Sequence, residues 1–367
     1  MTQKLLEILI PTYRRPQAAI GAIDSILDRT HPQVTVACHS NGPDAELELA
    51  ATQRPSLRYD SFPENRGAVA NFRKMLEDSS ADYVLLLSDE DRINPEHLAS
   101  FVDFLSSKQH GFVFCNVVES VGGKYFSITP FQGETLSVRD LLVLFTVHPT
   151  YMSGYCFRRD LLTDDAIREA FELSDANVYP HLLLRNAIAN RASIGLFPEN
   201  IVIKGEEANI GGDSHTHVEQ PLPVKQERAR QLLNPLIYGE SARARQFYYL
   251  IPRLEKELTH LSAFQRSFVR FYVLSAWLKI TIDAHLHVDA TTDIPALAAT
   301  INDYQWKNEC SSGLIDVYNR ILSIQQKAAR NGTVKLMWLL AKIVKLALFI
   351  KRFGFFRTRA FVKGNSV

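Results

Sequence analysis

A chain of 367 residues with 41 Lys and Arg against 40 Asp and Glu carries a formal charge of +1. That balance excludes wholesale nucleic-acid binding and confines any basic surface to a local patch. Hydrophobic residues at 46% exclude a disordered chain, and the length suits two packed units or one domain with a large appendage. The four cysteines, Cys38, Cys115, Cys156 and Cys310, are widely spaced with no C-x-x-C pair. Metal-finger spacing is therefore absent, and small buried thiols in a reducing compartment are expected. Met1 to Glu7 passes into strand-like sequence without an apolar leader or a small-residue cleavage site, so the expected location is cytoplasmic.

In chain order, Leu5 to Ile10 reads as a strand ending at Pro11-Thr12-Tyr13-Arg14-Arg15-Pro16. A helix over Gln17–Leu27 follows, with Ile20, Ile23 and Leu27 at helical spacing. Val34–Cys38 is a second strand that stops in the turn cluster His39-Ser40-Asn41-Gly42-Pro43-Asp44. A helix over Glu46–Thr52, a short strand over Leu57–Tyr59, a turn at Asn65-Arg66-Gly67 and a helix over Ala68–Leu76 come next. Alternation of this kind predicts βαβ units and a largely parallel sheet with right-handed crossovers.

The stretch Tyr83-Val-Leu-Leu-Leu-Ser-Asp-Glu-Asp91 is the most informative. Its apolar run lacks period-two alternation, as suits a central strand covered on both faces. It runs straight into three carboxylates at the strand end, where open α/β sheets bind ligands. Two readings of Asp89-Glu90-Asp91 stand side by side: a cation site, or a solvated acidic turn before a helix that starts at Asn94-Pro95-Glu96.

Beyond it, a helix over Pro95–Leu105 and a strand over Phe112–Val118 are expected, with an antiparallel edge strand at Lys124–Thr129. A helix over Val138–Phe145 precedes the strand Tyr151–Phe157, where Gly154 marks a close backbone approach. Another helix follows Arg158, opened by the solvated Asp164 and Asp165. Leu173-Ser174-Asp175 reads as the N-terminal cap of a helix over Val178–Ala189, and Ile201–Ile203 as a strand. From about residue 220 long amphipathic patterns replace strands. The predicted organisation is an α/β domain over 1–220, a helical domain over 221–332, and a basic amphipathic stretch over 333–367.

Four motifs in register, Ile8-Leu9-Ile10-Pro11-Thr12-Tyr13-Arg14-Arg15, Ser40-Asn41-Gly42-Pro43-Asp44, Asn65-Arg66-Gly67 with Asn71, and Leu86-Leu87-Ser88-Asp89-Glu90-Asp91, resemble family 2 glycosyltransferases of the GT-A fold. The similarity is to bacterial enzymes that extend O-antigen, capsule or related surface glycans, and it covers roughly residues 5 to 205. It implies a Rossmann-like, mostly parallel central sheet followed by a helical C-terminal region. It implies inverting transfer of a sugar from a nucleotide diphosphate donor, a UDP-sugar foremost, to a glycan or lipid-linked glycan acceptor.

By that resemblance Pro11, Thr12 and Tyr13 lie under the base and ribose, and Arg15 lies near the phosphates. Asn65, Gly67 and Asn71 shape the nucleotide pocket. Ser40, beside Asn41, stands where the family commonly has a base-reading acid. Asp89 and Glu90 border the donor, Asp91 is the first choice as ligand to Mn²⁺ or Mg²⁺, and Asp89 is a further ligand. Such an ion offsets charge on the leaving diphosphate. Asp175 is the expected general base for the acceptor hydroxyl, set against a plain helix cap. His215 and His217, on a late loop, are candidate contacts to the metal or diphosphate, set against solvent-exposed histidines.

Thr333 to Phe353 places Lys335, Lys342, Lys345 and Arg352 on one stripe of roughly 100°. No apolar run there reaches the roughly 20 residues needed to span a bilayer. A peripheral helix on the inner face of the cytoplasmic membrane is expected, extended by Arg357, Arg359 and Lys363. Rival classes are a non-catalytic glycan-binding or assembly scaffold and a sugar nucleotidyltransferase, although no glycine- and arginine-rich phosphate loop lies near the N-terminus.

Overall fold

The computed structural model describes residues 4–29, 31–121, 124–127, 152–171, 180–189 and 191–205. The chain divides into two units at Gln220 and Pro221, and every described residue lies in the first. The expected helix over 138–145, Asp175, His215, His217, the helical region 221–332 and the basic stretch 333–367 lie outside the described residues.

Strand and helix alternate in chain order: β1 (Leu6–Thr12), α1 (Pro16–Leu27), β2 (Val34–Ser40), α2 (Ala45–Thr52), β3 (Leu57–Ser61), α3 (Ala68–Asp78) and β4 (Tyr83–Leu86). Then come β5 (Arg92–Ile93), α4 (Leu98–Lys108), β6 (Phe112–Val121), β7 (Lys124–Ser127), β8 (Tyr155–Arg158), α5 (Asp164–Phe171), α6 (Pro180–Ala189) and β9 (Ile194–Lys204). In β1 the side chains of Leu6, Ile8, Leu9 and Ile10 are all fully buried, which accounts for the unbroken apolar run. Leu6, Ile8 and Ile10 share one core with Leu85 of β4, with Ala19, Ala22 and Ile23 of α1, and with Phe101 and Leu105 of α4. Strand alternation sends Leu9, Val84 and Leu86, also buried, to the other face.

Local chemistry sets the helix starts. Pro16 supplies the fixed φ of a first helical turn in α1, and the Asp44 carboxylate accepts the Leu47 N–H at 3.2 Å to open α2. Asn94 caps a single 3₁₀ turn over Pro95–His97, and α4 begins only at Leu98. The helix expected to run from Pro95 is therefore two elements, because Asn94 Oδ1 satisfies the Glu96 N–H before the α-helical ladder is established.

The sheet runs β3-β2-β1-β4-β8-β6-β9-β5, with β7 paired to β6. Parallel pairing joins β3 to β2, β2 to β1, β1 to β4, and β6 to β9. The mostly parallel sheet expected from the alternation is present, with β7 as the expected antiparallel strand. β8 and β5 depart from it: β8 enters antiparallel between β4 and β6, and β5 pairs antiparallel with β9. The short run of β8, three buried residues and Arg158, gave no cue to direction; the turn at Gly154, φ +90°, sets it, and a Cβ there would sit 3.1 Å from the Cys115 carbonyl oxygen. β9 starts seven residues before the expected Ile201, since Pro198 and the register shift between Cys115 and Val117 interrupt a strand that then resumes. Cys38, Cys115 and Cys156 are buried and free, and Tyr155 packs among Phe112, Phe114 and Phe157.

His39 and His181 are among the histidines buried in this frame. His39 of β2 meets the Phe62 ring at 4.6 Å, and His181 of α6 meets Tyr155 edge-on at 5.2 Å. Burial lowers both, and desolvation with the nearby Arg185 brings His181 down to about 3. A pKa held below its unfolded value of 6.5 contributes stability that is present above pH 6.5 and is lost as the pH falls. From pH 7 to 5 His181 should cost roughly 2 kcal/mol of unfolding free energy. Urea unfolding at the two pH values checks this: His181→Phe should flatten the dependence by that amount, and an unchanged slope would refute it.

Candidate functional site

The strand order reverses between β1 and β4, because the chain runs outward through β2 and β3 before returning to pair β4 with β1. The carboxyl ends of those two strands are thus a topological switch point, where open α/β sheets leave a crevice. Thr12 ends β1 there, and its hydroxyl donates to Asp89 Oδ2 at 2.7 Å, just beyond β4. Arg15 forks beneath the same crevice, with Nη2 on Asp89 Oδ1 and Nη1 on Glu90 Oε2 at 2.9 Å. Between them the chain turns at Arg14, whose φ of +52° costs a residue with a Cβ about 1–2 kcal/mol. The Arg14 guanidinium lies 5.2 Å from the Tyr13 ring centre.

Burial and charge oppose each other in this group. Burial raises the Asp89 carboxyl above the ordinary range, while Arg15 and the Thr12 hydroxyl pull it back; burial raises Glu90 as well, against Arg15. Burial draws Arg15 down, but Asp89 and Glu90 together outweigh it and hold the guanidinium above its usual value. Asp89 is wholly enclosed, whereas the Glu90 side chain is 19% and that of Arg15 33% exposed. Glu90 is the carboxylate of this pair that reaches the crevice.

Asp91 turns inward. It is fully buried; Ser153 Oγ donates to its Oδ2, and the Gly205 N–H donates to Oδ1 at 2.9 Å. Ser153 also accepts the Ser88 N–H at 2.7 Å, and the Asp91 N–H closes the turn on the Ser88 carbonyl at 3.0 Å. Beneath the turn, Arg92 Nη1 donates to the Glu90 and Asp91 carbonyls at 3.1 and 2.9 Å, over Gly21. Side chains at Gly21 and Gly205 would collide with Arg92 and with the Glu90 carbonyl. The position chosen from sequence as first metal ligand is therefore an anchor of the turn.

The opposite wall comes from the ends of β1 and β2. Asn71 of α3 is buried, and its Nδ2 donates to the Thr12 carbonyl at 3.3 Å and the His39 carbonyl at 3.0 Å. Asn41 donates to Asn65 Oδ1 at 2.7 Å and accepts the Arg66 N–H at 2.8 Å, while Asn65 Oδ1 also accepts the Gly67 N–H at 2.9 Å. Gly67 opens α3 with φ +86°, in the left-handed region that favours glycine. A Cβ on Gly42 would meet the Tyr13 ring at 3.6 Å. Ser40 is buried and its carbonyl accepts the Phe62 N–H at 3.0 Å.

The structure thus gathers Thr12, Arg15, Asp89 and Glu90 at one strand junction and ties Asn41, Asn65, Gly67 and Asn71 into the turn beside it. Ser153, Gly205 and Arg92 were missed. The glycine after Ser153 and the end of a strand at Gly205 were the available signals, but a hydrogen bond spanning 62 residues leaves no local pattern. Among the described residues no three His, Cys, Asp or Glu side chains converge as a metal-binding group. Replacing Ser153 by Ala removes the acceptor of the Ser88 N–H and one donor to the buried Asp91. The variant should lose about 1–3 kcal/mol of unfolding free energy in urea titration, and a loss under 0.5 kcal/mol would contradict the anchoring role.

Residues 7–164 match the family model described as Glycosyl transferase family 2. An Escherichia coli (strain K12) protein named as a colanic acid biosynthesis glycosyl transferase, WcaA, is 24% identical over 179 residues, 47% of this chain and 59% of that protein. The fold is shared with S. aureus TarS, at a TM-score of 0.56 and 13% identity, over 91% of this chain and 54% of TarS. TarS 1–349 in complex with UDP-GlcNAc aligns at 0.50 and 15% identity, over 88% of this chain and 92% of that one. The chain spans between half and two thirds of the full-length relatives it matches.

Proposed function

We propose, for a chain whose residues 7–164 form a glycosyl transferase family 2 domain, that the protein transfers a sugar from a nucleotide diphosphate donor to a growing surface glycan. One observation carries the reading: Thr12 from β1 and Asp89 from the end of β4 meet across the switch point, with Arg15 joining Asp89 to the more open Glu90. Nucleotide ligands of open α/β sheets occupy that crevice. The E. coli relative's name gives a polysaccharide, colanic acid, and the TarS complex holds a nucleotide sugar, UDP-GlcNAc. They favour a UDP-sugar donor and a polysaccharide acceptor.

In this reading Tyr13 and the Asn41–Asn65 turn flank the base, Ser40 replaces a base-reading acid, and Thr12 and Asp89 border the ribose. A divalent cation suits the donor set: carboxylates are hard oxygen ligands, Mg²⁺ binds through one or two of them with substrate phosphates, and a guanidinium already stands in as cation beside Asp89 and Glu90. Glu90 would hold Mn²⁺ or Mg²⁺, with Asp91 fixing the turn behind it, and the chemistry so supplied is neutralisation of charge on the leaving diphosphate. His215 and His217, from the chain after β9, would approach the phosphates. Asp175 would take the proton from the acceptor hydroxyl on the far side of the sugar, giving inversion.

Transfer assays with nucleotide sugars test these roles. Asp175→Asn should lower kcat by about 10²–10⁴ with little change in donor KM, and Glu90→Gln should abolish dependence on added Mn²⁺. Wild-type rates in both variants would remove the assignment, and no transfer from any nucleotide sugar by the wild-type chain would favour a binding scaffold.

A lipid-linked acceptor would account for the basic amphipathic pattern of 333–363, which suits a peripheral site on the inner face of the cytoplasmic membrane. No helix among the described residues is long and apolar enough to cross a bilayer. Truncation before Thr333 should release the protein from anionic liposomes in sedimentation; undiminished pelleting would contradict this anchor.

A further inference from the structure

We infer that Arg15 is the built-in counter-cation of the acidic turn, and that it gives up Glu90 but keeps Asp89 when the donor and its divalent cation bind. The inference rests on the donor-site reading above and assigns Arg15 a motion and a double duty within it.

The two arms of the Arg15 fork are unequal. Asp89 is fully buried and its other oxygen is taken by Thr12; loss of the guanidinium would leave that carboxylate without its cation. Glu90 is partly exposed, and its 2.9 Å contact with Nη1 lies at the crevice, where water and ions can replace it. A divalent cation at Glu90 would sit against the guanidinium, and two like charges at that separation repel, so the weaker arm opens first. A planar guanidinium can hold Asp89 by one edge while the other edge turns to a phosphate, a division that an ammonium cannot make. The Arg15 side chain is 33% exposed, so it is not sealed from solvent as Asp89 is.

Two opposite effects of one substitution follow. Removing the guanidinium frees Glu90, so metal binds more readily without nucleotide; it also removes a phosphate contact, so nucleotide binds less well with metal. A residue that only supports the fold would weaken both.

The test is isothermal titration of the full chain with MnCl₂ alone, and with UDP at saturating Mn²⁺. Arg15→Gln should bind Mn²⁺ about 10-fold more tightly than wild type in the absence of nucleotide, and UDP about 10-fold more weakly in its presence. Arg15→Lys, which keeps a charge without the fork, should fall between the two for Mn²⁺ and serves if the Gln variant fails to fold by circular dichroism. Equal or weaker Mn²⁺ binding by the folded variant, while wild type still binds UDP with Mn²⁺, would overturn the role of Arg15 and leave the donor site standing. If wild type binds UDP but takes up no Mn²⁺ with or without it, the metal reading fails and this inference fails with it.

Discussion

The buried carboxylate of Asp89 is the constraint on which this site depends. A carboxylate without solvent contact is costly unless it is paired and hydrogen-bonded, and here Thr12 and Arg15 meet both needs from the strand-to-helix turn after β1. That requirement holds the ends of β1 and β4 level, so the parallel register Leu6↔Tyr83 to Leu9↔Leu86 leads to a polar junction. The turn at Arg14 and the start of α1 at Pro16 follow from the same need to bring a guanidinium back under the crevice.

Around this pair the scaffold is stiff. β1 lies between two parallel neighbours with apolar packing on both faces, and α1 supports the acidic turn through Gly21, Arg92 and the Ser25 hydroxyl, which accepts the Ile93 N–H at 3.0 Å. Ser153 and Gly205 approach from β8 and β9, so the turn is fixed by three separate parts of the chain. Preorganisation of this kind suits a site that must meet developing charge without rearranging its own dipoles. The unequal exposure of Asp89, Glu90 and Asp91 then divides their labour: two are built into the wall and one is presented to the crevice.

Much of this was legible in sequence because it is local. The apolar run of β1, the stripe of α1, the turn cluster ending at Asp44 and the turn at Asn65-Arg66-Gly67 each leave a periodic or chemical mark, and alternation of elements announced a mostly parallel sheet. The even choice at Asp89-Glu90-Asp91 could not be resolved in those terms, since whether a carboxylate is solvated depends on Thr12 and Arg15, more than 70 residues away. Direction was equally hidden in β8, and strand extent in β9, where Pro198 reads as a stop although the backbone regains its pairing with β6. Asp91, expected as a metal ligand from its motif position, is held inward by Ser153 and Gly205, which no spacing links to it.

The central claim is that the junction of β1 and β4 holds a nucleotide diphosphate, with Glu90 as its open carboxylate. A crystal structure of the chain grown with UDP and Mn²⁺ tests it most directly. The account predicts nucleotide density beside Thr12 and Asp89, an ion within about 2.3 Å of a Glu90 oxygen, and Arg15 still paired with Asp89. Nucleotide bound away from the ends of β1 and β4, or an ion held by other residues with Glu90 still closed on Arg15, would contradict it.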